Sequence, residues 1–139
     1  YTFYEKEAMP KEGVLDFIEE AYAKGIPMTV ATSTDRPMIE AAFHRLNLHK
    51  YFKKIYTTSE VGSGKDQPEI FYQAIKTMGS DEKTTYLLDD AFYALNTAHN
   101  AGIGTIGIYD FSSKCDTEKI KAVSDIYIED WKNNKPDIL

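Results

Sequence analysis

Four side chains in this sequence have the types and the setting to hold a phosphoryl group and a metal ion: Thr32, Lys65, Asp89 and Asp90. Asp89 and Asp90 are adjacent carboxylates that end the β-prone run Thr85-Tyr86-Leu87-Leu88. Side by side they repel unless positive charge sits between them. A hard cation such as magnesium takes oxygen ligands and is often held by one or two carboxylates plus a phosphate. The plain alternative is that the pair only caps the helix that follows. Thr32-Ser33-Thr34 closes another apolar run and precedes a helix, where hydroxyls and free N–H groups make a phosphate site. Thr34 reads better as a helix cap, whereas Thr32, next to the strand end, fits either role. Lys65 follows Gly62-Ser63-Gly64; glycines let a loop approach a ligand, and lysine is a compact cation for phosphate. A solvated surface lysine is the alternative there.

These residues need elements to position them. From Pro10, Val14, Leu15, Ile18, Ala21 and Tyr22 recur at helical spacing, with Gly25 as the stop. Ile26 to Ala31 reads as a short buried strand. Thr34 or Asp35 can cap the next helix, with Pro37 in its first turn and Ile39, Ala42, Phe43 and Leu46 on one face. Lys54 to Thr58 is a second strand, and residues 59–68 form a loop rich in turn residues. Ile70, Phe71, Ala74, Ile75 and Met78 then share a helix face that ends at Gly79. Thr84–Leu88 is a third strand, followed by a helix through Ala91, Leu95, Ala98 and Ala101. Ile103–Tyr109 is a fourth, Asp110–Thr117 a polar loop, Glu118–Val123 a short helix and Asp125–Ile128 a short final strand. Strands alternating with helices predict an α/β fold of the Rossmann-like kind, a parallel sheet with helices on both faces.

Composition narrows the function classes. At 139 residues with 42% hydrophobic and 27% charged residues, the chain suits one ordinary globular core. A net charge of −6 argues against a nucleic-acid partner, which needs a basic footprint. No apolar run is long enough to span a bilayer, so no membrane partner is expected. Cys115 is the single cysteine, which excludes an intrachain disulfide and points to a reducing, cytoplasmic compartment. Gly102-x-Gly104-x-x-Gly107 has the letters of a dinucleotide fingerprint but the wrong context, since a helix precedes it and a strand runs through its last glycine. We read those glycines as a helix stop and close packing. His44, His49 and His99 have no metal-ligand spacing.

Taken in order, a strand ending in Thr32, a Gly-Lys65 loop opening a helix, and a strand ending in Asp89-Asp90 resemble the second, third and fourth motifs of the haloacid dehalogenase-like (HAD) superfamily. The segments PKEGVLDFIEEAYAKGIPMTVATSTDR, YFKKIYTTSEVGSGKDQPEIFYQAIKTMG and YLLDDAFYALNTAHNAGIGTIGIYD carry the likeness. They resemble most the subfamily of phosphoglycolate phosphatases and β-phosphoglucomutases. The resemblance implies phosphoryl transfer through an aspartyl phosphate, assisted by magnesium, on a small phosphorylated metabolite. It implies that Thr32, with the N–H of Ser33 beside it, binds phosphoryl oxygens. Lys65 would neutralise phosphoryl and nucleophile charge. Asp90 would coordinate magnesium, and Asp89 would do so directly or through water. The family often has Glu then Asp at this pair, so Asp89 is the shorter arm.

One motif is missing. The family's first motif, a strand followed by Asp-x-Asp, has no counterpart in this sequence. The expected layout is therefore an exit segment of an absent cap at 1–9, an α/β core at 10–130 and a polar tail at 131–139. In the family the first strand lies mid-sheet, between those carrying Thr32 and Asp89-Asp90. Without it, two strand edges face a gap, and the chain must be unstable alone, close the gap differently or be one piece of a larger hydrolase. Two other readings stay open. One is a non-catalytic α/β binding or regulatory module, favoured by the missing nucleophile. The other is a phosphate-accepting receiver domain, in which acids, hydroxyl and lysine occur in a different chain order. The substrate, the choice between phosphatase and mutase, and the oligomeric state are not written in these residues.

Overall fold

Parallel strands need crossovers, and helical segments recur between the strands of this chain to provide them. The computed structural model describes residues 2–5 and 14–130. Its strands are β1 (Thr2–Glu5), β2 (Met28–Thr32), β3 (Lys54–Thr57), β4 (Thr85–Asp89), β5 (Gly104–Ile108) and β6 (Ile126–Ile128). Its α-helices are α1 (Val14–Ala23), α2 (Arg36–Leu46), α3 (Thr58–Val61), α4 (Glu69–Met78), α5 (Phe92–Asn100) and α6 (Thr117–Val123). The strands form one sheet in the order β3-β2-β1-β4-β5-β6, with every pairing parallel.

The period of two along each strand divides the core between two faces. Met28 and Val30 of β2, Leu88 of β4, and Ile106 and Ile108 of β5 meet Phe17, Ile18 and Ala21 of α1 and Ile39 and Phe43 of α2. Ala31, Tyr56 and Leu87 point the other way, onto Ile70, Phe71 and Ala74 of α4 and Ala94, Leu95 and Ala98 of α5. The alanines of α4 and α5 let those helices lie close to the sheet. Helices on both faces of a parallel sheet are the architecture that the sequence pattern predicts.

The middle of the sheet differs from expectation. The position left to an absent strand is occupied by Thr2–Glu5, part of the 1–9 stretch expected to be an exit segment. β1 pairs with β2 through Phe3↔Met28 to Glu5↔Val30, and with β4 through Thr2↔Thr85 to Glu5↔Leu88. The physical reason is the one that made the gap untenable: open edges of β2 and β4 demand backbone partners, and an extended segment supplies them. The helix start at Pro10 and the tail at 131–139 lie outside the described residues.

Smaller differences have local causes. Residues 59–68 are not all loop. Thr57 Oγ1 accepts the Glu60 N–H at 3.2 Å and Gly62 closes the turn at φ 91°, so Thr58–Val61 forms a single helical turn. The 110–117 segment contains 3₁₀ turns over Phe111–Asp116. Asp35 sits at the N-cap of α2, but its carbonyl and not its side chain meets the first N–H groups.

The glycines of the false fingerprint do the work expected of them. Gly102 ends α5 at φ 81°, and Gly107 lies under α6. A Cβ on Gly107 would strike Ser124 Oγ and stand 2.8 Å from Ile120 Cγ2. Gly107→Val is therefore expected to push α6 off the sheet and to cost about 1–3 kcal/mol or more in urea denaturation. Unchanged stability would show that α6 is not held where we place it.

Candidate active site

In an open parallel sheet, ligands bind outside the carboxyl ends of the strands where the strand order reverses. Here that point lies at β1, with β2 on one side and β4 on the other. Thr32 ends β2, Asp89 ends β4, and Lys65 precedes α4, so the three reach the same end of the sheet. The register places Glu5 beside Val30 and Leu88, so Thr32 and Asp89 stand just beyond the last paired residue of β1.

The closest pairing joins Lys65 and Asp89. Lys65 Nζ lies 2.7 Å from Asp89 Oδ2, and neither side chain has any solvent exposure. Asp89 Oδ1 accepts the N–H groups of Asp90 at 2.7 Å and Ala91 at 3.1 Å. The capping alternative is thus partly realised, because Asp89 braces the turn into α5 while neutralising a buried ammonium. Sequence reasoning gave Lys65 only phosphate and nucleophile charge to neutralise and read Asp89 as a metal ligand; the fold brings the two together. Asp90, the next residue, is half-buried at the strand end.

Thr32 is buried, and its Oγ1 accepts the Thr34 N–H at 3.0 Å, which leaves its own O–H as a donor. Ser33 beside it is exposed. Ser63, two residues before Lys65, carries the one buried side-chain oxygen or nitrogen among the described residues that has no hydrogen-bond partner. An unpaired buried hydroxyl costs stability, so Ser63→Ala is expected to leave the fold as stable or to raise stability by up to about 1 kcal/mol in thermal unfolding. A clear loss would reveal a partner for that oxygen.

Sequence reading missed Arg36 and Glu60. Their guanidinium–carboxylate contact at 2.8 Å bridges the start of α2 and α3. The hydrogen bond from Arg36 holds the Glu60 carboxyl below its ordinary range, and the same contact raises Arg36. Because the folded carboxyl is the more acidic, the contact is intact above the ordinary glutamate range and is lost as pH falls through the depressed value.

The donor set speaks to the metal. Among the described residues no three His, Cys, Asp or Glu side chains gather tightly enough to cage an ion. Two adjacent carboxylates are the kind of oxygen ligands that suit a hard divalent cation, which keeps several waters and takes further oxygens from a phosphate.

A doubly wound α/β sheet thus gathers acids, a lysine and a threonine at its switch point, where sheets of this class bind ligands. Residues 2–108 match the family of haloacid dehalogenase-like hydrolases, and the chain belongs to that family. It is 29% identical over 94 residues to a phosphorylated carbohydrates phosphatase of Thermotoga maritima, covering 68% of this chain and 44% of that protein. It is 30% identical over 105 residues to the protein CbbY of Cereibacter sphaeroides, covering 73% and 46%. Among solved structures, CbbY of Rhodobacter sphaeroides in complex with xylulose-(1,5)bisphosphate superposes with a TM-score of 0.80 at 25% identity, covering 90% of this chain and 56% of that one. A hydrolase of the superfamily from Ehrlichia chaffeensis superposes at 0.69 and 20% identity, covering 87% and 53%. The chain spans about half the length of these relatives. Among the described residues no helix is long and apolar enough to cross a membrane.

Proposed function

We propose that this chain supplies the phosphate-gripping and metal-binding part of a magnesium-dependent phosphatase acting on a small phosphorylated metabolite. The observation that carries the reading is the buried Lys65–Asp89 pair at the switch point, with Thr32 and Asp90 at the same end of the sheet. An ammonium fixed in a site without water stabilises developing phosphoryl charge more than one in solvent does. Thr32, its oxygen already accepting from Thr34, donates its proton to a phosphoryl oxygen, with the Ser33 N–H alongside. Lys65 holds positive charge toward the phosphoryl group while Asp89 keeps it oriented. Asp90 would hold the metal ion, with Asp89 beside it as a further carboxylate, directly or through water. When bound, magnesium neutralises phosphoryl charge and orients the group. The relatives support the substrate class: one is named for phosphorylated carbohydrates, and another is seen with xylulose-(1,5)bisphosphate. A free, exposed Cys115 suits a reducing compartment, and we take the protein to be cytoplasmic.

The test is hydrolysis of p-nitrophenyl phosphate by the intact protein with and without magnesium, beside Asp90→Ala. Metal-dependent turnover that the variant loses supports the reading. The absence of Asp-x-Asp from the sequence favours one competing reading, a non-catalytic module on the same scaffold. It would be upheld by an intact protein that binds phosphate and magnesium but turns nothing over.

A further inference from the structure

We infer that Arg36 is a positioning residue for the phosphate grip, clamping the segment after β2 to the helical turn that leads into Lys65. The inference rests on the reading of Thr32 and Lys65 proposed above. Arg36 Nε donates to both Glu60 oxygens, at 3.0 and 2.9 Å, and its Nη2 donates to Glu60 Oε1 at 2.8 Å. The same Nη2 reaches the Ile55 carbonyl of β3 at 2.6 Å, and Nη1 reaches Glu40 Oε1 at 2.7 Å. One guanidinium thus joins α2, β3 and α3. Lysine could not do this, because only the planar fork offers donors in several fixed directions.

The connection matters because of what lies on each side. Arg36 follows Thr32-Ser33-Thr34-Asp35, the phosphate-binding loop. Glu60 lies on α3, a single turn of four residues. A turn that short is not stable by itself; it persists through the Thr57 cap, the Gly62 stop and the Arg36 clamp. Only Gly62-Ser63-Gly64 separates the end of α3 from Lys65, so the position of α3 bounds where the Lys65 backbone can lie. Ser59 Oγ adds a long contact to Asp35 Oδ1 at 3.5 Å across the same junction.

Solvent exposure separates this role from a purely structural one. The Arg36 side chain is 35% exposed and that of Glu60 51%. Ion pairs in such surroundings add little to global stability. Their contribution here is geometric, and a displacement of about an ångström in a site of this kind can cost a hundredfold.

The experiment measures inorganic phosphate affinity, melting temperature and amide hydrogen exchange over residues 59–65 in the intact protein, for wild type, Arg36→Ala, Arg36→Lys, Glu60→Gln and Thr32→Val. Arg36→Ala and Glu60→Gln are each expected to weaken phosphate binding about tenfold or more, with faster exchange at 59–65 and a nearly unchanged melting temperature. Arg36→Lys should not rescue. If Arg36→Ala fails to fold, Glu60→Gln, which removes one charge and keeps the shape, decides. Wild-type affinity and exchange in Glu60→Gln and in every folded Arg36 variant, while Thr32→Val loses phosphate, would overturn the positioning role alone. Phosphate affinity that is absent in wild type, or unaltered in Thr32→Val, would instead overturn the reading of the site.

Discussion

Lys65→Met is expected to abolish phosphatase activity and to destabilise the fold by about 3–5 kcal/mol. Methionine keeps much of the length and all of the apolar stem of lysine, so packing changes little. What disappears is the charge facing Asp89 at 2.7 Å, in a place with no exposure for either side chain. Asp89 would keep the N–H groups of Asp90 and Ala91, but two amide donors do not offset a buried carboxylate that has lost its counter-ion. The second half of the prediction is a rescue. Lys65→Met combined with Asp89→Leu should regain most of the lost stability, because an apolar pair of similar volume is often as stable as a buried ion pair. Activity should stay absent in the double variant, since nothing replaces the ammonium. Urea denaturation and turnover of p-nitrophenyl phosphate measure both. A single-variant loss below about 1 kcal/mol would mean that the pair is hydrated and that the electrostatic account of the site is mistaken.

The adjacent aspartates are expected to fail in different ways. Asp89→Asn removes the counter-ion of a buried lysine and weakens the brace into α5. It should cost several kcal/mol, as breaking a buried pair does. Asp90 is half-buried and lies one residue past the end of β4. Asp90→Asn should leave stability within about 1 kcal/mol of wild type, as substitutions outside the core usually do. On the proposed assignment its cost falls on the metal: magnesium-dependent turnover should drop on the order of a hundredfold or more, the scale set by losing one preorganised electrostatic contact. Magnesium titration and thermal unfolding of the two variants separate the roles. The reverse pattern, with Asp89→Asn stable but metal-blind and Asp90→Asn unfolded, would exchange the assignments.

Much of this architecture was legible in the sequence because it depends on local pattern. The runs ending in Thr32 and Asp89 are strands because β-branched and large apolar residues cluster there. The helices announce themselves through spacings such as Ile70, Phe71, Ala74, Ile75 and Met78, all buried in the structure. The rejection of the Gly102–Gly107 fingerprint needed only the order of helix and strand, and Gly107 does lie under α6, where a side chain has no room. Strand boundaries drifted by one or two residues, as at Met28–Thr32, because hydrogen-bonding partners and not composition end a strand.

Spacing and chemical type along one chain are enough to give the list of elements, the parallel α/β class and the residue types offered to a phosphate and a metal. Which side chains meet depends on how the elements pack. Lys65 and Asp89 are 24 residues apart, and no periodicity links them; burial together forces opposite charges into contact. Arg36 and Glu60 are equally distant in sequence and meet because β2 and β3 are neighbours in the sheet. The middle strand is the clearest case. Residues 2–5 are β-prone in type but carry nothing that names their neighbours, and they pair because β2 and β4 present unfilled backbone donors and acceptors on either side of one extended segment.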